Sequence, residues 1–234
     1  MKRKGTMNRK KNIMDIFGDL VSKRESVSSN ARLELERMGR KLTVPFFKAW
    51  NRLSTRQKLE GINILSLTPY AVTARKAWEM FRNEDDPKIK ASLVTLVGKT
   101  GNSKHIPDLA EALKSSDKRV RANAVEAIAA LGGKEIINLL VPYLNDPCNR
   151  VKANTAKALW EFDEAKEMVR KVFEEMINDR SKWMKASAFY AFGETGILEF
   201  FNSLLDSLDE SDEDIARNAV VALVGYAEKY EDKI

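Results

Sequence analysis

The 234 residues contain one cysteine, one histidine, six prolines and eleven glycines. A lone Cys148 excludes an internal disulfide, and with only His105 to accompany it there is little from which to assemble a zinc site. Long apolar runs are scarce as well: AVVALVGYA at 219–227 falls far short of the roughly 20 residues a membrane-spanning helix needs. The opening MKRKGTMNRKK continues into IMDIFGDLV, whose two aspartates interrupt the apolar core of a signal peptide. No stretch alternates as a strand or carries a hairpin signal. The expectation is a helical cytoplasmic protein without metal or cofactor, and 44% apolar residues suffice for a packed core.

The net charge of +6 divides unevenly. Residues 1–53 hold 14 Lys and Arg against 5 Asp and Glu, whereas residues 54–234 hold 26 against 29. A basic N-terminal module, 1–53, is therefore expected ahead of a mildly acidic body, 54–234. Attraction to an anionic surface belongs to the module.

A short core repeats along the body: IKASL at 89–93, VRANA at 120–124, VKANT at 151–155, MKASA at 184–188 and IARNA at 215–219. Their starts lie 31, 31, 33 and 31 residues apart, and a weaker copy, LEGIN, stands at 59–63. Between them run helical segments such as IPDLAEALKS at 106–115 and EIINLLVPYL at 135–144. Asp86-Pro87 and Asp146-Pro147 are expected to start helices, and Gly101, Gly132 and Gly196 to end them in left-handed caps. Two helices in about 31 residues make an all-α fold, an α-solenoid of stacked repeats.

The stretch LVGKTGNSKHIPDLAEALKSSDKRVRANAVEAIAALGG at 96–133 resembles HEAT repeats of the phycobilisome-lyase-like type over roughly residues 84–230. Asp163 stands where that pattern has Gly, and Ala216 where it has a basic residue. The resemblance implies an armadillo-like helical fold and says little about function, since its families include scaffolds, adaptors and a few enzymes.

Counting the second helix from Val120 as position 1, positions 1, 5, 8 and 12 share a face: Val120, Ala124, Ala127 and Leu131. Position 2 holds Lys90, Arg121, Lys152 and Lys185. The family resemblance and the acidic body favour a structural ladder of ion pairs between repeats over a grip on phosphates, with Asp146 and Asp179 suited as partners of Lys152 and Lys185. Position 4 holds Ser92, Asn123, Asn154, Ser187 and Asn218, expected to hydrogen-bond across repeats. Position 10, expected on the inner surface, brings Trp160 among small residues, with Lys157, Phe189 and Tyr190 on neighbouring exposed positions. These four form a candidate partner-binding patch. The alternative is that Trp160 fills space beside Asp163.

At the N-terminus, Lys2, Arg3, Lys4, Arg9, Lys10 and Lys11 form an electrostatic tail over 1–11, ahead of an amphipathic helix expected over 12–27 with Ile13, Ile16, Phe17, Leu20 and Val21 as its stripe. That stripe either caps the first repeat or lies on a membrane surface. The leading functional expectation is a non-catalytic scaffold that binds a protein partner along its concave face. An adaptor held peripherally on anionic membrane or nucleic acid through residues 1–24 is the alternative. A bilin-lyase-like enzyme, implied by the resemblance alone, ranks last. The last helix, apolar on several sides, is expected to support weak self-association.

Overall fold

Capping side chains mark where several of the helices begin, Asn12, Ser54, Asp86, Asp117 and Asp212 among them. The computed structural model describes residues 11–231, which form helices joined by turns, with no strand among them. The chain divides into two compact units, Met1–His105 and Ile106–Ile234. Among the described residues no helix is long and apolar enough to cross a membrane.

In the first unit, Asn12 caps α1 (Ile13–Leu20), its Oδ1 accepting the Met14 N–H at 2.7 Å and the Asp15 N–H at 3.1 Å. The helix expected over 12–27 ends early. The Ser22 N–H turns back to the Asp19 carbonyl at 3.0 Å, and α2 (Glu25–Met38) begins afresh. The apolar stripe of α1 faces inward, with Ile16, Phe17 and Leu20 buried. Phe17 lies 5.7 Å from Phe46 of α3 (Thr43–Ala49), and Gln57 of α4 (Thr55–Leu65) donates to the Phe17 carbonyl at 2.8 Å. The middle of the stripe thus packs inside the unit, and Ile13 and Val21 at its ends are half-buried, so the stripe as a whole is not a lipid-facing surface.

Helix α4 is the weak first copy of the repeat, in a register two residues earlier than LEGIN suggests. Ser54 caps it, which puts Gln57 at position 1 and Gly61 at position 5. A Cβ on Gly61 would stand 2.1 Å from the Phe46 ring, so α4 approaches α3 as only glycine permits. The next two helices are α5 (Ala71–Arg82), where Trp78 and Phe81 stack at 4.4 Å, and α6 (Pro87–Thr100). Asp86 caps α6 and Pro87 takes its first position, where a missing N–H costs nothing.

The second unit carries four more helix pairs. They are α7 (Ile106–Ala112) with α8 (Lys118–Leu131), and α9 (Ile136–Leu140) with α10 (Asn149–Leu159). α11 (Asp163–Ile177) with α12 (Lys182–Thr195), and α13 (Phe201–Asp206) with α14 (Glu213–Tyr230), follow. Pro142 lacks the N–H that would continue α9, and the chain tightens into a 3-10 turn over Val141–Asn145. Ile136, Leu140 and Leu144 still reach the core at intervals of four.

Two capping expectations are corrected. Gly196 alone of the three glycines is left-handed, at φ 71°, while Gly101 and Gly132 leave their helices extended, at φ −88° and −108°. What they require is room: a Cβ on Gly132 would fall 2.1 Å from Ile136. Asp146 does not cap α10 either. The N-cap is Cys148, and the Asp146 carboxylate, two residues earlier, accepts the Cys148 N–H at 2.8 Å.

Candidate binding face of the repeats

The second helices of the last four repeats, α8, α10, α12 and α14, stand in sequence along the second unit, and each carries a stripe whose two ends, positions 0 and 7, are exposed or half-buried. The stripe runs through positions 0, 3, 4 and 7, spaced i, i+3, i+4, i+7 and hence on one side of a helix. On α10 these are Arg150, Ala153, Asn154 and Lys157; on α12 they are Trp183, Ala186, Ser187 and Tyr190. An open depression of about 410 Å³ is lined by these two stripes, short of Lys157, with Asn149, Glu126 of α8 and Asn218 of α14. Alanines at position 3 give it depth. Trp183 and Tyr190, 60% and 51% exposed, stand one above the other on α12.

The polar side chains here are fixed by one another. Asn154 Nδ2 donates to Glu126 at 2.6 Å and to the Ala122 carbonyl at 3.4 Å, and Arg150 donates to Glu126 at 3.2 Å and to Asn123 at 3.1 Å. Asn149 Nδ2 donates to Ser187 Oγ at 2.6 Å and to the Trp183 carbonyl at 3.1 Å. Asn218 Nδ2 donates to the Asp214 carbonyl at 2.6 Å, within its own helix. Ser92 likewise bonds within its own helix, to the Lys88 carbonyl at 3.0 Å. The position-4 row therefore joins repeats at Asn123, Asn154 and Ser187 and turns back locally at its two ends. Tyr190 ionises less readily than a free tyrosine, first because it is partly buried and then because Glu194 and Glu126 stand near.

The four expected patch residues separate. Lys157 Nζ sits 5.3 Å over the Tyr190 ring and 3.7 Å from Glu194, so these two meet. Trp160 is half-buried and lies outside the depression, with Lys166 Nζ 5.8 Å over its ring. Phe189 is a correction, because it is 1% exposed and packs 6.2 Å from Phe192. It occupies position 6, where Val94, Val125 and Ala156 are also buried, so the column is a core column. Trp183 and Asn149 line the depression without standing at any of the columns expected to carry a site. The signal for Trp183 is the 0, 3, 4, 7 periodicity, whereas Asn149, at position −1, lies outside it.

The position-2 ladder is an ion-pair ladder whose partners differ from those expected. Arg121 makes a two-pronged bond to Asp146 of the following repeat, at 2.8 and 2.9 Å, and also donates to the Ser115 carbonyl at 2.9 Å. Lys185 reaches Glu210 at 2.8 Å, Lys152 reaches Glu175 at 4.0 Å, and in the first unit Lys58 reaches Glu84 at 2.8 Å. Lys90 lies 4.7 Å over the Phe81 ring. Asp146 thus serves Arg121, one repeat earlier, and Asp179 accepts the Ser181 N–H at 2.7 Å while Lys185 goes to Glu210. Burial works to raise the Asp146 carboxyl, but bonds from Arg121 and the Cys148 N–H outweigh it and hold it below the usual range.

His105 closes a 3-10 turn, its Nδ1 3.2 Å from the Asn102 N–H. Lys11 pairs with Asp19 at 2.5 Å, while Lys2, Arg3, Lys4, Arg9 and Lys10 lie outside the described residues. On α14, Val220, Val221 and Val224 are 49%, 60% and 53% exposed. They stand at positions 6, 7 and 10, of which 6 and 10 are buried on α12, position 10 there lying against α14.

A family model for HEAT repeats matches residues 76–160 and again 137–224. No curated protein matches the sequence. Among solved structures, Escherichia coli YibA is similar at a TM-score of 0.58 and 18% identity, covering 100% of this chain and 94% of its own. The complex of CpcE and CpcF of phycocyanin lyase from Nostoc is similar at 0.59 and 13% identity, covering 98% of this chain and 92% of its own. At these identities the likeness is one of fold.

Proposed function

This chain belongs to the HEAT-repeat family, and we propose that it is a non-catalytic scaffold holding a protein segment in the depression of α10 and α12. The observation that carries this reading is the pair Trp183 and Tyr190, large rings left open to solvent on a face whose other side chains are already fixed. Rigid exposed aromatics over small residues are what binding hot spots are made of.

The chemistry of the lining indicates the kind of segment. The partners of the Asn154 and Asn218 amide nitrogens are carboxylate and carbonyl oxygens, which accept only, so each amide has one orientation. Their Oδ1 atoms, which no described residue engages, are left as acceptors beside two aromatic faces. A donor-rich segment bearing arginine or lysine meets both, through hydrogen bonds and cation–π contact. Lys182 and Lys157 already lie 5.3 Å over the Trp183 and Tyr190 rings, an intramolecular instance of the same contact. Catalysis has less support on this face: Ser187 Oγ is engaged by Asn149, and Glu126 is held by Arg150 and Asn154.

A Gly-Arg repeat peptide and its Gly-Glu counterpart test the reading through tryptophan fluorescence. The Gly-Arg peptide is expected to shift the emission and to lose about tenfold in affinity on Trp183→Ala, in line with a hot-spot residue. Equal response to both peptides, or binding indifferent to Trp183, would overturn it.

A further inference from the structure

The segment over residues 39–52 turns all its aromatic weight inward and all its charge outward. It runs as a 3-10 turn (Gly39–Leu42), α3, and a second 3-10 turn (Trp50–Arg52). Leu42, Phe46, Phe47 and Trp50 are buried. Arg40, Val44, Lys48 and Arg52, four residues apart, form an exposed stripe, with Lys41 and Arg37 exposed nearby in the chain. None of these five cations stands within ion-pair distance of a carboxylate among the described residues, although Arg32, Lys58 and Arg75 of the same unit each do. Val44, Pro45, Lys48, Ala49 and Arg52 join Ile13 and Met14 around an open depression of about 320 Å³. Ile13, which lines this depression, follows the basic residues of 1–11 in the sequence.

We propose that this face docks on the surface of an anionic phospholipid bilayer, with Arg40, Lys48 and Arg52 over the headgroups and Val44, Pro45 and Met14 at the acyl boundary. Unpaired cations ringing an apolar patch are the surface chemistry of interfacial binding. Nucleic acid fits less well. Phe46, Phe47 and Trp50 are turned into the core, so no ring is presented on which bases could stack. The face also differs from the anchor that the sequence suggests, because the α1 stripe is buried and the contact falls to α3 and its flanking turns. The proposal stands independently of the segment-binding role of the second unit.

The test is sedimentation of the full chain with phosphatidylcholine vesicles, with and without phosphatidylserine, at low and high salt. Binding is expected only with phosphatidylserine and is expected to weaken with salt. Arg40→Glu with Lys48→Glu should reduce the partition coefficient at least about tenfold, given the contribution of each cation near an anionic surface. Lys114→Glu with Lys118→Glu, an equal change of net charge on exposed sites of the second unit, should leave it within about twofold. Thermal unfolding of both variants checks that the fold is kept. Partition unaffected by the Arg40/Lys48 reversal, equal loss from both reversals, or binding to a DNA duplex in place of vesicles would each overturn the proposal.

Discussion

The two units use positive charge differently. In the second, Arg121, Lys134, Arg150, Lys152, Lys182 and Lys185 each reach a carboxylate on a neighbouring element, at 2.6 to 4.0 Å. In the first, Lys58 reaches Glu84 in the same way, but the cations of the α3 stripe reach none among the described residues. Charge that joins one repeat to the next is consumed by the fold, and its removal should be read as lost stability. Charge with no partner is available to a ligand, and its removal should leave the fold intact. The net charge of +6 hides this division. What matters is which lysines and arginines already have a carboxylate.

The largest effect that sharpens the contrast comes from the core of the second unit. Phe189→Ala should cost about 4 kcal/mol in urea unfolding, the range for emptying a buried phenylalanine site. An effect below about 1 kcal/mol would return Phe189 to the surface patch. Acid comes next. The Asp117 carboxyl is held down to about 2 from an ordinary 3.8, first by the Arg119 side chain and then, against burial, by the backbone N–H groups of Arg119 and Val120. A carboxyl lowered in the folded state contributes fully above its unfolded value and loses that contribution as pH falls through its folded one. The melting temperature should therefore drop between about pH 4 and pH 2. Asp117→Asn, which keeps the cap, should cost stability at neutral pH and flatten that drop. An unchanged pH profile would show that the carboxylate charge does nothing for the helix.

Much of this was legible in the sequence, for a physical reason. A repeat states its own column pattern several times, so helix pairs, the cap at Asp86 and the ladder at position 2 follow from spacing, whereas the caps at Asp117 and Asp212 emerge only in the fold. What a helical wheel does not give is which neighbour covers each side. A helical wheel assigns position 10 to the inner row, yet at Gly193 it is where α14 presses closest: a Cβ there would lie 2.9 Å from Ala222. Phe189 was misplaced in the same way, although its own column, Val94, Val125 and Ala156, already marked it as core. Asp146 was matched to a lysine near it in the chain, whereas the fold gives it to Arg121, 25 residues away. Contacts between repeats reach one period back, and short-range reading misses them.

The division of charge is tested most directly by a double-mutant cycle on Arg121 and Asp146, whose side chains are 15% and 6% exposed. Arg121→Ala, Asp146→Ala and the double variant would be unfolded in urea beside Arg40→Ala and Lys48→Ala. Breaking the pair from either side should lose about 3 kcal/mol, with a coupling of about 2 kcal/mol between the two residues. Arg40→Ala and Lys48→Ala should each change stability by less than about 0.5 kcal/mol. A coupling near zero, or losses at Arg40 and Lys48 as large as those at Arg121, would contradict the division of charge.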